Sequence, residues 1–367
     1  MKAPRYTDLV TRLPAIVPFV GPETQERARG AKFAARLGAN ESVFAASPKA
    51  IAAMQAAAPD IWMYADPENY DLKQALAAHH GVGVENIVVG AGIDGLLGGL
   101  CRMLLGDGAR VVTSHGAYPT FNFHVAGYAG QLHTVPYLHD AEDPKGVLDM
   151  AEKVDASLIY FANPDNPMGS FHTADVMQNM IDNVPAGAVL CLDEAYVEFA
   201  PKGTAPPLDI ENPNIIRMRT FSKAYGMAGA RVGYAIGAAG LIAAFDKVRN
   251  HYEMNRAAIA GALAALEDQG YLEQIIQKVI AARGRIGDIA RENGLSPLPS
   301  VTNFVTIDCG RDGDYAKALV GEMLARGVFI RMPFVAPQNR CIRVSAGRSQ
   351  DLDLFAAALP AALEAIK

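Results

Sequence analysis

The chain has 367 residues, 20% of them charged, a formal net charge of -6, and neither an acidic nor a basic tail. That length accommodates a large domain and a smaller one. The charge balance argues against nucleic acid as the main partner, and the absence of any run of about 18 uncharged apolar residues argues against a membrane span. The four cysteines, Cys101, Cys191, Cys309 and Cys341, form no CxxC pair and no Cys/His cluster, so a metal site is not expected and a reducing, cytoplasmic setting is.

Residues 1–45 read as an extended arm with a short helix near 22–32, and the prolines and charges of 1–20 do not suit a secretory signal. Helices are predicted over 48–58, where Ser47 precedes Pro48, and over 70–80. A repeating pattern follows: a strand at 86–90 and a helix at 94–104; a strand at 110–114 and a helix from about 119; a strand at 157–162 and a helix from about 173; then strands at 188–193, 215–219 and 232–236. Short apolar strands alternating with helices predict an α/β fold with a mostly parallel sheet covered on both faces. Residues 241–293 are helical runs, and a helix within 272–293 is expected to link two domains. Strands at 301–309, 327–332 and 340–347, with helices at 314–326 and from 350, predict a closing α+β unit. The expected division is an arm at 1–45, a large domain at 46–270 and a small domain at 271–367.

The chemistry concentrates where strands end. In TFSKAYGMAGARVGY (220–234), Lys223 taken alone is an ordinary loop lysine. Ser222 and Arg231 nearby offer a hydroxyl and a guanidinium to one anion, and the glycines between them let backbone approach it. A lysine beside a bound phosphate suits an anchored aldehyde cofactor, whose carbonyl takes the amine as a Schiff base. GAGID (90–94) opens a helix after a strand, a place where free N–H groups meet a phosphate, although such glycines are also common turns. It matches neither a dinucleotide fingerprint nor a nucleotide P-loop. NPDNPMG (163–169) presents Asn166 from a proline-stiffened turn. Asp193 ends a buried strand, where it is either a cap, an internal ion-pair partner or the partner of a pyridinium nitrogen. Tyr196 offers a hydroxyl that can help Asn166 hold a ring oxygen, and Tyr118 offers a stacking face.

These segments, with LGANESVFAASPKA (37–50), MYADP (63–67), GAYPTF (116–121) and RVSAG (343–347), resemble the histidinol-phosphate aminotransferase family, within the class I/II, fold-type I pyridoxal-phosphate enzymes. The resemblance implies pyridoxal 5'-phosphate as cofactor, Lys223 as its anchor and proton shuttle, and Asp193 on the ring nitrogen. It also implies Asn166 and Tyr196 on the ring oxygen and Tyr118 stacked on the ring. The backbone of Gly92, Ile93 and Asp94, with Ser222 and Arg231, is implied around the phosphate. Tyr64 is implied to reach the cofactor of a neighbouring subunit in a homodimer. Arg343 is implied to grip a substrate anion, with Arg331 towards the substrate side chain and Asn40 in the closing arm. The sequence departs from the family pattern at Ile93, Gly95, Gly116, Ala117, Met168, the stretch NHYEMN (250–255) and Phe19, which stands where a tyrosine is expected.

The activity this implies is ping-pong transfer of an amino group from an amino acid or histidinol phosphate to a 2-oxo acid, with 2-oxoglutarate and glutamate as the common pair. An aromatic or basic amino acid is the alternative substrate, and a threonine-phosphate decarboxylase is the alternative reaction on the same scaffold. A cofactor-bearing transcriptional regulator would need a basic DNA-binding segment that the short arm does not supply.

Overall fold

Apolar runs of four or five residues recur along the first two thirds of the chain, and each is a strand buried along its length. In the computed structural model, which describes residues 3–15, 20–106 and 108–367, the strands are β1 (Ala35–Arg36), β2 (Ile87–Gly90), β3 (Arg110–Ser114), β4 (Gln131–Val135), β5 (Leu158–Ala162), β6 (Val189–Asp193), β7 (Ile215–Thr220), β8 (Gly233–Gly237), β9 (Ser296–Pro297), β10 (Phe304–Asp308), β11 (Val328–Phe329) and β12 (Cys341–Ser345). The main sheet has the order β2-β8-β7-β6-β5-β3-β4. Its strands run parallel except β8, which is antiparallel to both β2 and β7.

Side-chain alternation sorts the sheet's residues onto two faces. Val112, Ile159, Phe161, Leu190 and Leu192 pack with Val147, Met177 and Met180 of the helices Pro144–Val154 and Ala174–Asp182. Val111, Leu158, Tyr160, Cys191 and Ile216 face the opposite way, into the larger apolar layer. Helix starts follow local chemistry. Ser47 caps Pro48–Ala57 by accepting from the Lys49 and Ala50 N–H groups, as expected from the Ser-Pro pair.

Some elements fall outside the sequence expectations, among them the helix Asp8–Arg12, the short strands β1 and β9, the strand β4 and the helix Pro144–Val154. The strand β4 is an edge strand with the polar sequence QLHTV, so it lacks an apolar run. Helix Pro144–Val154 buries only Val147 and Ala151 completely, which leaves a weak stripe among charges. The strand expected over 327–332 is also shorter. Only Val328 and Phe329 pair, with β1, and Arg331 adds a single bridge to Arg343. Beyond it the chain turns away through Pro333 and Pro337, which have no N–H to continue a ladder.

Helix Gln269–Glu292 leads to a second, antiparallel sheet in which β10 lies between β12 and β9. The arm completes it. Leu37 N donates to Phe329 O at 2.7 Å and Ser345 N donates to Leu37 O at 2.7 Å, so the arm lies between the ends of β11 and β12. This pairing delivers Asn40 and Glu41 to the C-terminal edge of the main sheet, where both line a cavity.

Candidate active site

The register of the main sheet assembles that cavity. Gly90 pairs with Gly233, Gly233 with Thr220, and Asp193 with Ala162. The turns leaving β2, β3, β5, β6 and β7 therefore emerge at one edge, together with the turn entering β8. They enclose about 490 Å³, lined by Asn40, Ile93, Asp94, Tyr118, Asn166, Asp193, Tyr196, Ser222, Lys223, Arg231 and Arg343. This is the position that ligands take in open α/β sheets.

At one end, Arg231 donates to the Ser222 hydroxyl at 3.3 Å, and Thr220 donates to the same hydroxyl at 2.9 Å. Helix Gly92–Leu104 starts beside them. A Cβ on Gly92, whose φ is +74°, would come within 2.3 Å of the Arg231 guanidinium, and a Cβ on Gly233 would come within 2.6 Å of Gly92 C and Ile93 N. The glycines thus clear a cradle of helix N–H groups, a hydroxyl and a guanidinium, a combination suited to a phosphate. Gly233→Ala is expected to push β8 away from this helix and weaken cofactor retention. Dialysis followed by the visible spectrum checks this, and full retention would mean the close approach is not needed.

In the middle, Asp193 is buried and accepts from Tyr160 Oη at 2.7 Å and from Ala195 N at 2.9 Å. Burial raises its carboxyl above the ordinary range, and those two hydrogen bonds oppose the shift. Behind it, buried Glu194 binds Arg217 and Arg219, with Arg219 Nε at 2.8 Å. Burial pushes Glu194 up, but the charges of Arg219 and Arg217 outweigh it and hold it ionised. This triad ties the end of β6 to β7 and so sets the position of Asp193.

Lys223 follows β7 directly. Its Nζ donates to Asn40 O at 3.2 Å and sits 5.7 Å from the centre of the Tyr196 ring. Burial, then the positive charge of Arg343, lowers its amine to about 8. Asn40, at φ +54°, donates from Nδ2 to Tyr196 Oη at 3.1 Å and accepts from Ser345 Oγ at 3.0 Å. One arm residue therefore couples the lysine, the tyrosine and β12. Burial pushes the hydroxyl of Tyr118 up to about 12.

At the far end, Arg343 is 8% exposed. It donates from Nη1 to Asn166 Oδ1 and from Nη2 to Gly38 O, at 2.5 and 3.4 Å, while its Nε has no partner. Burial lowers its guanidinium to about 10. Arg331 pairs with Arg343 across the strands, and both line a small recess with Gly116, Met332 and Phe334. Arg331 also donates to Val20 O.

Among the described residues, Lys223, Arg231 and Arg343 have no carboxylate within ion-pair distance. Buried Arg343 keeps an unpartnered Nε–H, which costs about 1–3 kcal/mol, and exposed Arg231 presents its guanidinium beside Ser222 at the other end, so each end can receive an anion. With an acid between them and a buried amine of low basicity, the residues fit pyridoxal phosphate.

Of the residues singled out in the sequence, all but Tyr64 and Arg331 line the main cavity or, for Gly92, shape it. Tyr64 is 78% exposed and stacks 4.6 Å from Tyr252 on the outer surface. Phe19 lies outside the described residues. Sequence reading missed Tyr160, Thr120, Glu41 and Thr220, all of which line the cavity. Tyr160 was hidden in the apolar run LIYFA, where only the sheet partner Asp193 reveals a polar role.

Residues 35–359 match the family described as aminotransferase class I and II, and the chain belongs to that family. Fold and site together define a fold-type I, pyridoxal-phosphate-dependent aminotransferase. Within the class it falls among the histidinol-phosphate aminotransferases. The enzyme of that name from Sinorhizobium meliloti, solved in complex with pyridoxal-5'-phosphate, is 52% identical with a TM-score of 0.97, covering 100% of this chain and 99% of that one. Histidinol-phosphate aminotransferase 2 of Pseudomonas aeruginosa is 33% identical over 330 residues, 88% of each chain. The L-threonine-O-3-phosphate decarboxylase of Porphyromonas gingivalis, at 20% identity and a TM-score of 0.76, shares the fold.

Proposed function

We propose that this aminotransferase moves an amino group from histidinol phosphate to 2-oxoglutarate, or the reverse, in two half-reactions. The observation that carries the reading is the pair Arg331 and Arg343, bridged across two strands at the end of the cavity away from the phosphate cradle. Two guanidiniums at one end suit a phosphate monoester in one half-reaction and a dicarboxylate in the other.

The cofactor, when bound, supplies an aldehyde that accepts the amino group and a ring that withdraws electrons from the substrate carbon. Ser222, Arg231 and the N–H groups of Gly92, Ile93 and Asp94 would hold its phosphate, with Tyr64 of a second copy completing a homodimer. Asp193 would keep a proton on the ring nitrogen, oriented by the hydrogen bond from Tyr160. Asn166 and Tyr196 would hold the ring oxygen, and Tyr118 would cover the ring face and exclude water. Lys223 would carry the cofactor at rest and, once displaced, move a proton at its Nζ. Residues 46–270 then act as the cofactor domain, and 271–367 with the arm 1–45 as the substrate-closing domain. Four buried, unpaired cysteines suit a cytoplasmic enzyme.

An amine attacks an aldehyde only when neutral. With Lys223 lowered to about 8, uptake of cofactor by the apoprotein should accelerate as pH rises, with a midpoint near 8. Arg343→Gln removes a nearby positive charge, favours the protonated lysine and moves that midpoint upward. Stopped-flow absorbance from pH 6.5 to 9.5 measures both, and a pH-independent rate would contradict the depressed basicity of Lys223.

Substrate choice is tested by mixing the holoenzyme separately with histidinol phosphate, glutamate and aromatic and basic amino acids. Loss of the aldehyde's visible absorption identifies a donor, and its return on adding 2-oxoglutarate after removal of that donor identifies the second half-reaction. A response to non-phosphorylated amino acids alone, with none to histidinol phosphate, would replace the phosphate reading.

A further inference from the structure

None of the roles above uses Glu253, which is not among the residues lining the cavity, yet it is aimed at the helix that starts the phosphate cradle. It is half-buried. A Cβ on Gly90 would stand 3.0 Å from Glu253 Oε1. A Cβ on Gly95 would meet Ala91 Cβ at 3.4 Å and Glu253 Oε2 at 3.6 Å and, its chain neighbours apart, no other side chain within 4 Å. The carboxylate therefore occupies the space that two glycines leave open. It also faces the N–H of Ala91, the residue that precedes helix Gly92–Leu104 and has no side-chain group with which to cap it. Gly95 and the stretch 250–255 are both places where the sequence departs from the family pattern, and here they face one another.

The segment that carries Glu253 is fixed on both sides. The Tyr252 ring lies 4.6 Å from that of Tyr64, and Arg256 Nη2 donates to Tyr64 O at 2.9 Å. Met254 is buried, and Asn255 caps the helix Arg256–Glu267 by accepting from Ala258 N at 2.8 Å. A side chain on so constrained a backbone loses little further freedom in holding the glycine turn. A carboxylate suits a helix start, but its charge repels a phosphate bound at the same place. What Glu253 supplies to the cradle is therefore shape and support.

We propose that Glu253 is a positioning residue for the phosphate cradle: it fills the space over Gly90 and Gly95 and braces the turn from β2 into helix Gly92–Leu104, so that the helix N–H groups stay in place and open to the phosphate. The inference rests on the reading of Gly92, Ile93, Asp94, Ser222 and Arg231 as that cradle. It adds a support from outside the cavity, delivered by a segment more than 150 residues further along the chain.

The test titrates the full-length apoenzyme with pyridoxal phosphate and, separately, with pyridoxal, which lacks the phosphate. Dissociation constants are read from visible absorption, beside thermal unfolding of each variant. Glu253→Ala should weaken pyridoxal phosphate by about tenfold and leave pyridoxal within about twofold of wild type. Loss of a negative charge near a phosphate would by itself tighten binding. Tighter or unchanged binding of pyridoxal phosphate would therefore overturn the proposal, as would an equal loss for both ligands. Glu253→Gln keeps the shape and an acceptor and should stay within about threefold, whereas a tenfold loss would show that charge is what matters and would overturn the proposal. Gly95→Glu puts a second carboxylate into the same space and should weaken pyridoxal phosphate by about tenfold. Combined with Glu253→Ala it supplies the carboxylate from the other side, and affinity should return to within about threefold; no recovery would overturn the proposal. Should Glu253→Ala fail to fold, Gly95→Glu alone decides, and unchanged affinity there overturns it. Arg231→Ala separates the two readings. If it leaves pyridoxal phosphate binding intact, the cradle reading falls and this inference with it. If it weakens binding while Glu253→Ala does not, only the bracing role falls.

Discussion

Lys223→Ala should lose activity by about 10⁴-fold or more, because one side chain supplies both the anchoring amine and the proton carrier. Its Nζ reaches Asn40 O and faces the Tyr196 ring inside the cavity. The described part of the cavity holds no second lysine to substitute for it. The loss should fall on kcat more than on cofactor binding, since the phosphate cradle of Ser222, Arg231 and the start of helix Gly92–Leu104 is untouched. Borohydride treatment followed by peptide mass analysis gives a second readout. The wild-type peptide containing Lys223 should carry the cofactor's mass, and the variant should carry it nowhere. A modified peptide elsewhere in the variant would move the anchor to another residue. Restoration of part of the rate by small primary amines would support the proton-carrying role in particular.

Asp193→Asn is expected to lower kcat by about 10²–10³-fold, the loss typical when one preorganised charge facing a reacting group is removed. Its effect on stability should have a different sign. Burial raises Asp193 above its ordinary range, so its ionised form disfavours the folded apoprotein at every pH above the unfolded value. Among the described residues it has no ion-pair partner; Tyr160 and the Ala195 N–H offset that cost only in part. Asparagine can keep a hydrogen bond there without carrying the charge. The apo variant should therefore melt at or above the wild-type apo temperature, while the gain in melting temperature on adding cofactor shrinks. Calorimetry of apo and holo forms decides this. An apo variant that melts well below wild type would show that Asp193 serves the fold rather than the ring nitrogen. Tyr160→Phe should show a weaker version of the same kinetic pattern, because it removes one hydrogen bond and no charge.

Much of this protein is legible in local sequence. Apolar runs such as LIYFA and VLCLD specify strands buried on both faces, and their alternation with helices specifies a parallel sheet. The Ser47-Pro48 pair specifies a helix start. Residues that carry chemistry at strand ends, Asp193 and Lys223 among them, stand out because polar groups placed directly after buried strands need a partner. Such features depend on a few neighbouring residues, so they survive without knowledge of the fold.

The tertiary structure decided what depends on residues far apart in the chain. Asn40 meets Lys223, Tyr196 and Ser345 only because the arm pairs between β11 and β12. Tyr160 becomes part of the site only because β5 and β6 are neighbours in register. Glu142 and Asp165 lie in a loop and a turn, and only the fold buries them. Pattern in a sequence reports which faces are apolar. Desolvation and the distance between charges, which set basicity and anion affinity here, exist only once the chain has folded.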